Sequence, residues 1–343
     1  MLTNNELGEG DMRRQGAAIT AMAFFMAATL AEVAFGEPAP EAVAELRAAI
    51  DALKVNHLNR DRANWQKLEA DAFVEAKDAK TPADTYPAIR TVIKALGERH
   101  TFLQTADAYA AMRSNQKVGD AAPPVFQPPE AWLLDGHMAL LRVPGFMGDE
   151  AGSRIYVGAL RRALSSFAER GICRFAVDLR GNWGGDMHPM QSGLAALLST
   201  PPFGYFSVIT SPSAYPFGGD NAPSQWDQTK PPPAPYAEAV AKIAHPHVAV
   251  LIDGNTASSG EFTAVAFKGL PYVRFFGTPT AGFVTNNTTI ALPDGAHLFI
   301  SNGWSQDRLH RPYQEALDPD EVAAAGQPTV DAAVGWLKSQ PCR

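Results

Sequence analysis

The stretch FAVDLRGNWGGD, residues 175–186, decides the fold. An apolar run reads as a buried strand, ends in the charged turn at Asp178 and Arg180, and meets two adjacent glycines where a helix should begin. Gly184 and Gly185 let backbone N–H groups approach a ligand closely, and a helix N-terminus adds positive potential there. That geometry suits an oxyanion hole. Taken alone, the stretch also fits a Gly-rich strand-to-helix turn with a structural Asp–Arg pair. It is not a dinucleotide fingerprint, because the G-x-G-x-x-G spacing is absent.

Outward from this turn the chain alternates strands and helices. MALLRV reads as a strand, EAGSRIYVGALRRALSSFAERG as an amphipathic helix, and HPMQSGLAALLS as the helix after the glycines. YFSVIT is a strand, YAEAVAKIA a helix, HVAVLI a strand, and Ser258 to Lys268 a helix. Short strands VRFFG, TTIAL and HLFIS follow, and VDAAVGWLKS closes the chain as a helix. This alternation predicts an α/β layered core with much parallel pairing. Between Pro40 and about Gly97 the pattern is helical, with Val43, Leu46, Ile50 and Leu53 on one face.

The boundaries predicted are 1–36 for a leader, 37–125 for a small N-terminal helical domain and linker, and 126–343 for the α/β core. Met12-Arg13-Arg14 precedes an Ala-rich apolar run and a Pro-rich exit, the pattern of an export signal, with a single membrane anchor as the alternative. A hydrophobic fraction of 46% and a charged fraction of 19% are those of a globular protein. The net charge of -7, with no Lys/Arg stripe, argues against nucleic acid as a partner. Cys173 and Cys342 either pair in an oxidising compartment or leave Cys173 a buried thiol; neither has metal-site spacing.

A second stretch, VLIDGNTASSGEF (250–262), places Ser258 at a sharp strand-to-helix junction. The context follows the logic of a nucleophile elbow without its G-x-S-x-G sequence. Thr256 or Ser258 could instead be a plain N-cap, with Glu261 closing a capping box. A nucleophilic serine needs a base, and spacing does not choose among the eight histidines.

Four blocks in order resolve that choice by resemblance. LGERHTFL (96–103), FAVDLRGNWGGD, VLIDGNTASSGEF, and GTPTAG (277–282) with LPDGAHLFIS and QEALDPDEV together resemble the carboxyl-terminal processing, or tail-specific, serine peptidases, including the tricorn core. The resemblance spans roughly residues 85 to 325. It implies a ClpP/crotonase-like core of repeated ββα units preceded by the helical domain, and it implies a hydrolase that forms an acyl-enzyme on a peptide or protein substrate. Ser258 aligns with the nucleophile, and Ser259 with one oxyanion donor. Gly184 and Gly185 align with the other donor, Gly185 favoured. Where one branch of the family carries a lysine base, this chain has Phe283. The other branch uses an early histidine and a late glutamate, which places His100 and Glu315 in a triad with Ser258. His310 and Asp307 are the alternative base and orienter.

No metal or organic cofactor is implied, and no membrane contact beyond an N-terminal anchor. Only about 35 residues separate ERHTFL from MALLRV, too few for the peptide-binding PDZ module of longer members. The loop from Ser211 to Pro235 is the candidate lid or specificity element, with a plain surface insertion as the alternative. A ligand-binding protein on the same fold, or a small-ester hydrolase, is the alternative function.

Overall fold

The computed structural model describes residues 37–114, 127–135, 137–218 and 236–342. The leader 1–36 and residues 219–235 of the candidate lid lie outside them. In chain order come helices α1 (Pro40–Asn56), α2 (Trp65–Glu75) and α3 (Tyr86–Ala95), strand β1 (Phe102–Gln104), α4 (Ala106–Ser114), and strands β2 (Glu130–Asp135) and β3 (Met138–Arg142). Then follow α5 (Glu150–Glu169), β4 (Arg174–Asp178), α6 (Met187–Gly193), α7 (Ala195–Leu198), β5 (Gly204–Val208) and β6 (Tyr215–Phe217). The chain ends with β7 (His247–Ile252), α8 (Ser259–Phe267), β8 (Val273–Gly277), β9 (Thr285–Ala291), β10 (His297–Asp307), β11 (Glu321–Val322) and α9 (Gln327–Ser339).

The first sheet has the order β11-β8-β7-β4-β3-β2, parallel throughout except for the antiparallel pair β2–β3. Its central strands are apolar on both faces because both are covered. Phe175, Val177, Val250 and Ile252 face a cluster shared with α5, α6 and α8, whereas Ala176, Ala249 and Leu251 face Ala333 and Leu337 of α9. The glycine turn of residues 181–186 and the serine turn of residues 253–258 follow the C-terminal ends of β4 and β7, adjacent parallel strands. That is where open parallel sheets place their sites.

The second sheet is antiparallel, β1-β10-β5-β6, with β9 also on β10. Its Leu298 and Ile300 pack with Leu46, Ile50 and Leu53 of α1 and Ile89 and Val92 of α3. The N-terminal helices thus share a core with β10, and β1 pairs with it at Phe102↔Phe299. This pairing sets the position of His100, two residues earlier.

Three details differ from the sequence reading. YAEAVAKIA forms no helix. The buried Arg161 of α5 captures the Glu238 carbonyl at 2.7 Å and stacks on the Tyr236 ring at 5.3 Å, so the segment lies pinned across α5. The helix after Gly185 breaks at Leu194 into α6 and α7. Strands β9 and β10 extend well beyond TTIAL and HLFIS. Cys173 and Cys342 form a disulfide, with Cα atoms 5.9 Å apart, joining the start of β4 to the segment after α9.

One buried carboxylate joins the helices to the β9–β10 hairpin. Glu45 of α1 accepts the Asp294 N–H at 3.1 Å, and Tyr86 donates to the Asp294 carboxylate. Burial, with Asp294 beside it, pushes the Glu45 carboxyl up from 4.5 to about 7. A raised carboxyl stabilises the fold below its unfolded-state value, and that contribution is lost as pH rises through the folded value. The protein is therefore expected to lose about 2 kcal/mol from this group between about pH 5.5 and about pH 8. Urea unfolding of wild type and Glu45→Gln at the two pH values checks this, since the substitution should remove that part of the slope.

Candidate active site

His100 lies between the end of α3 and β1. The Glu98 carboxylate holds this segment by accepting the His100 N–H at 2.8 Å, the Thr101 N–H at 2.8 Å and the Thr101 hydroxyl at 2.9 Å. The ring then points its Nε2 at Ser258 Oγ, 3.0 Å away. Its Nδ1 lies 2.9 Å from Thr285 Oγ1 and 3.1 Å from the Thr285 carbonyl oxygen on β9. Burial lowers the imidazole below its usual range, while the Glu98 charge and the Thr285 carbonyl pull the other way. A neutral ring beside a serine hydroxyl is a proton acceptor.

Ser258 is presented by the junction of β7 and α8. Thr256 does not cap the helix; its buried hydroxyl donates to the Leu179 carbonyl at 2.8 Å and ties the junction to the end of β4. Ser258 adopts φ 52° and ψ -120°, a left-handed backbone that costs a non-glycine residue on the order of 1–3 kcal/mol. Its N–H donates to Glu261 Oε2 at 2.9 Å, and its hydroxyl faces His100. Glu261 is fully buried and also accepts from Thr280 Oγ1 (2.5 Å), Gly282 N (2.9 Å) and Phe283 N (2.7 Å). The residue seen in sequence as half of a capping box thus anchors Ser258 to the segment leading into β9.

The glycine turn packs directly on this junction. Gly184 N–H donates to Asn182 Oδ1 at 3.0 Å. Gly185, at φ 102°, lies against Phe146 so closely that a Cβ there would fall 1.9 Å from the Phe146 carbonyl oxygen. The Ser259 hydroxyl donates to the Gly185 carbonyl at 2.6 Å, linking the starts of α8 and α6. Gly260 is required by close approach, because a Cβ would meet the Asn182 carbonyl oxygen at 2.6 Å. Asp178 and Arg180 form a structural ion pair at 2.7 Å.

The structure brings together Ser258, Ser259, His100, Gly184 and Gly185, and leaves Glu315 apart. Both partners of His100 Nδ1 belong to Thr285. Glu315 is exposed, because its segment is anchored by the buried Leu317, whose N–H donates to Thr280 Oγ1 at 2.8 Å. His310 and Asp307 are also elsewhere. His310 stacks on Tyr205 at 3.9 Å, and Asp307 accepts the N–H groups of Leu309 and Arg311 and the Tyr313 hydroxyl. Phe283 places its ring 5.2 Å from that of His100, with the Arg99 guanidinium on it at 5.0 Å. Thr285 was missed in the sequence; its one signal is a position two residues after Phe283.

A serine at the head of a buried helix, a histidine nitrogen 3.0 Å from its hydroxyl and a glycine turn alongside are the parts that serine-hydrolase chemistry uses, here set on an α/β fold. The model of the family described as Peptidase family S41 matches residues 137–322, more than half of the chain. The chain belongs to peptidase family S41 and is a serine-type peptidase acting on a peptide or protein substrate. The nisin-resistance protein of Lactococcus lactis subsp. lactis is 29% identical over 297 residues, covering 86% of each chain. Among solved structures, a lipoprotein from Streptococcus agalactiae aligns with TM-score 0.72 and 24% identity over 88% of this chain and 97% of its own. The photosystem II D1 C-terminal processing protease aligns with TM-score 0.59 and 14% identity over 88% of this chain and 98% of its own. These two structures share the fold.

Proposed function

We propose that Ser258 is the nucleophile and His100 the general base of an exported peptidase. The observation that carries this reading is the 3.0 Å approach of His100 Nε2 to Ser258 Oγ at the N-terminus of α8. His100 accepts the Ser258 proton as Oγ adds to the substrate carbonyl. The N–H groups of Ser259 and of the Gly184–Gly185 turn, with Gly185 favoured, receive the oxyanion. Protonated His100 then gives its proton to the leaving amine as the C–N bond breaks. Water, activated by the same ring, hydrolyses the acyl-enzyme.

Export is supported by the disulfide, which persists in oxidising compartments, and by the leader-like residues 12–36. Among the described residues no helix is long and apolar enough to cross a membrane. Nisin, named for the Lactococcus relative, is the first peptide to offer as substrate.

The test is hydrolysis of nisin and of a mixed peptide library, followed by mass spectrometry across pH. Because His100 is lowered from 6.5, kcat/KM is expected to reach half its plateau below that value and to stay flat through neutrality. His100→Ala should remove the activity at every pH. Undiminished hydrolysis by folded His100→Ala would overturn the assignment of the base.

A further inference from the structure

Behind His100 the hydrogen-bond donors run in one direction round a closed ring. Asn287 Nδ2 donates to the His100 carbonyl at 2.9 Å, which fixes the amide and leaves Oδ1 as the acceptor. Ser301 Oγ donates to that Oδ1 at 3.0 Å. With its proton spent, Ser301 Oγ accepts from Thr285 Oγ1 at 3.1 Å. The Thr285 hydroxyl then has no proton left for the ring and can only accept from His100 Nδ1–H at 2.9 Å. The Thr285 carbonyl oxygen, 3.1 Å from the same nitrogen, is an acceptor by nature and requires the same tautomer. Ser301 is fully buried and Thr285 nearly so, and the hairpin register sets Ser301 opposite Asn287.

We propose that Thr285, oriented by Ser301 and Asn287, is the positioning residue that holds His100 with its proton on Nδ1 and a bare Nε2 facing Ser258, in the place where a serine-hydrolase triad carries a carboxylate. The inference rests on the Ser258–His100 reading. A hydroxyl and a carbonyl stabilise the imidazolium less than a carboxylate does, so the base is positioned without being made strongly basic. The charges around the ring are Glu98 and Arg99 on its own segment and Glu261 behind Ser258. From β9 and β10 it meets the uncharged Thr285, Asn287 and Ser301.

The experiment follows the rate of fluorophosphonate labelling against pH on the full chain, for wild type, Thr285→Ser, Thr285→Val and Ser301→Ala. Thr285→Ser keeps the acceptor and should label within about threefold of wild type, whereas Thr285→Val should label about tenfold more slowly at the plateau, one hydrogen bond to a charged ring being lost. Its midpoint should move to lower pH, because the imidazolium loses an acceptor; a purely structural role would leave the midpoint in place. Ser301→Ala frees the Thr285 proton to oppose Nδ1–H and should also slow labelling. In wild type, the 15N shifts of His100 should report Nδ1 protonated and Nε2 bare. A reversed tautomer overturns the proposal even if no variant folds, as does a folded Thr285→Val with the wild-type rate and midpoint. A folded wild type that never labels overturns the Ser258 reading, and this inference with it.

Discussion

Ser258→Ala is expected to lower peptide hydrolysis by a factor on the order of 10⁵ or more, the usual effect of removing a serine nucleophile from an intact site. The substitution removes only Oγ. The N–H of residue 258 still donates to Glu261, the Ser259 hydroxyl still reaches the Gly185 carbonyl, and the Gly184–Gly185 turn is unchanged. Loss of activity should therefore come without loss of fold. The melting temperature should stay within a few degrees of wild type, as surface-scale changes do in a chain of this size. Steady-state hydrolysis and a thermal melt on the same preparation check both halves. Wild-type turnover by the alanine variant would place the chemistry elsewhere.

Glu261→Ala should have the largest effect on stability. Its carboxylate receives four donors, from Ser258, Thr280, Gly282 and Phe283, in a site closed to water. Burial pushes this carboxyl above its usual range while those four donors pull it back. Removing it strands several buried N–H and O–H groups at once, a cost of about 3–5 kcal/mol. The damage is local to function as well. Ser258 sits in a strained conformation held by its N–H bond to Glu261, and the segment from Thr280 to Phe283 leads into Thr285. Denaturant unfolding should show the loss of stability. At a temperature where the variant remains folded, its hydrolysis rate should fall by at least about tenfold, as expected for a displaced nucleophile.

Much of this was legible in the sequence because the signals were local. HVAVLI and VRFFG are strands of the very extent read, since continuous apolar runs bounded by turns mark strands buried on both faces. Ser258, Ser259, Gly184 and Gly185 lie in two short turns whose residue types are dictated by backbone geometry, and the structure packs those turns together. What was not legible depends on register and on distant partners. Thr285 reaches His100 across 185 residues, and an unremarkable threonine in a strand carries no mark of that contact. Glu315 shows the opposite situation: the PD-containing segment resembles the family block, but Leu317 sets how it docks and leaves the glutamate at the surface. The helical pattern of YAEAVAKIA yielded to Arg161, which binds its backbone in another conformation.

The most direct measurement is intact-protein and peptide mass spectrometry after exposure to a fluorophosphonate. A single adduct is expected on the folded chain, mapped to Ser258, formed fastest when His100 is neutral and absent from both Ser258→Ala and His100→Ala. An adduct on another residue, or none on a folded wild type, would contradict that.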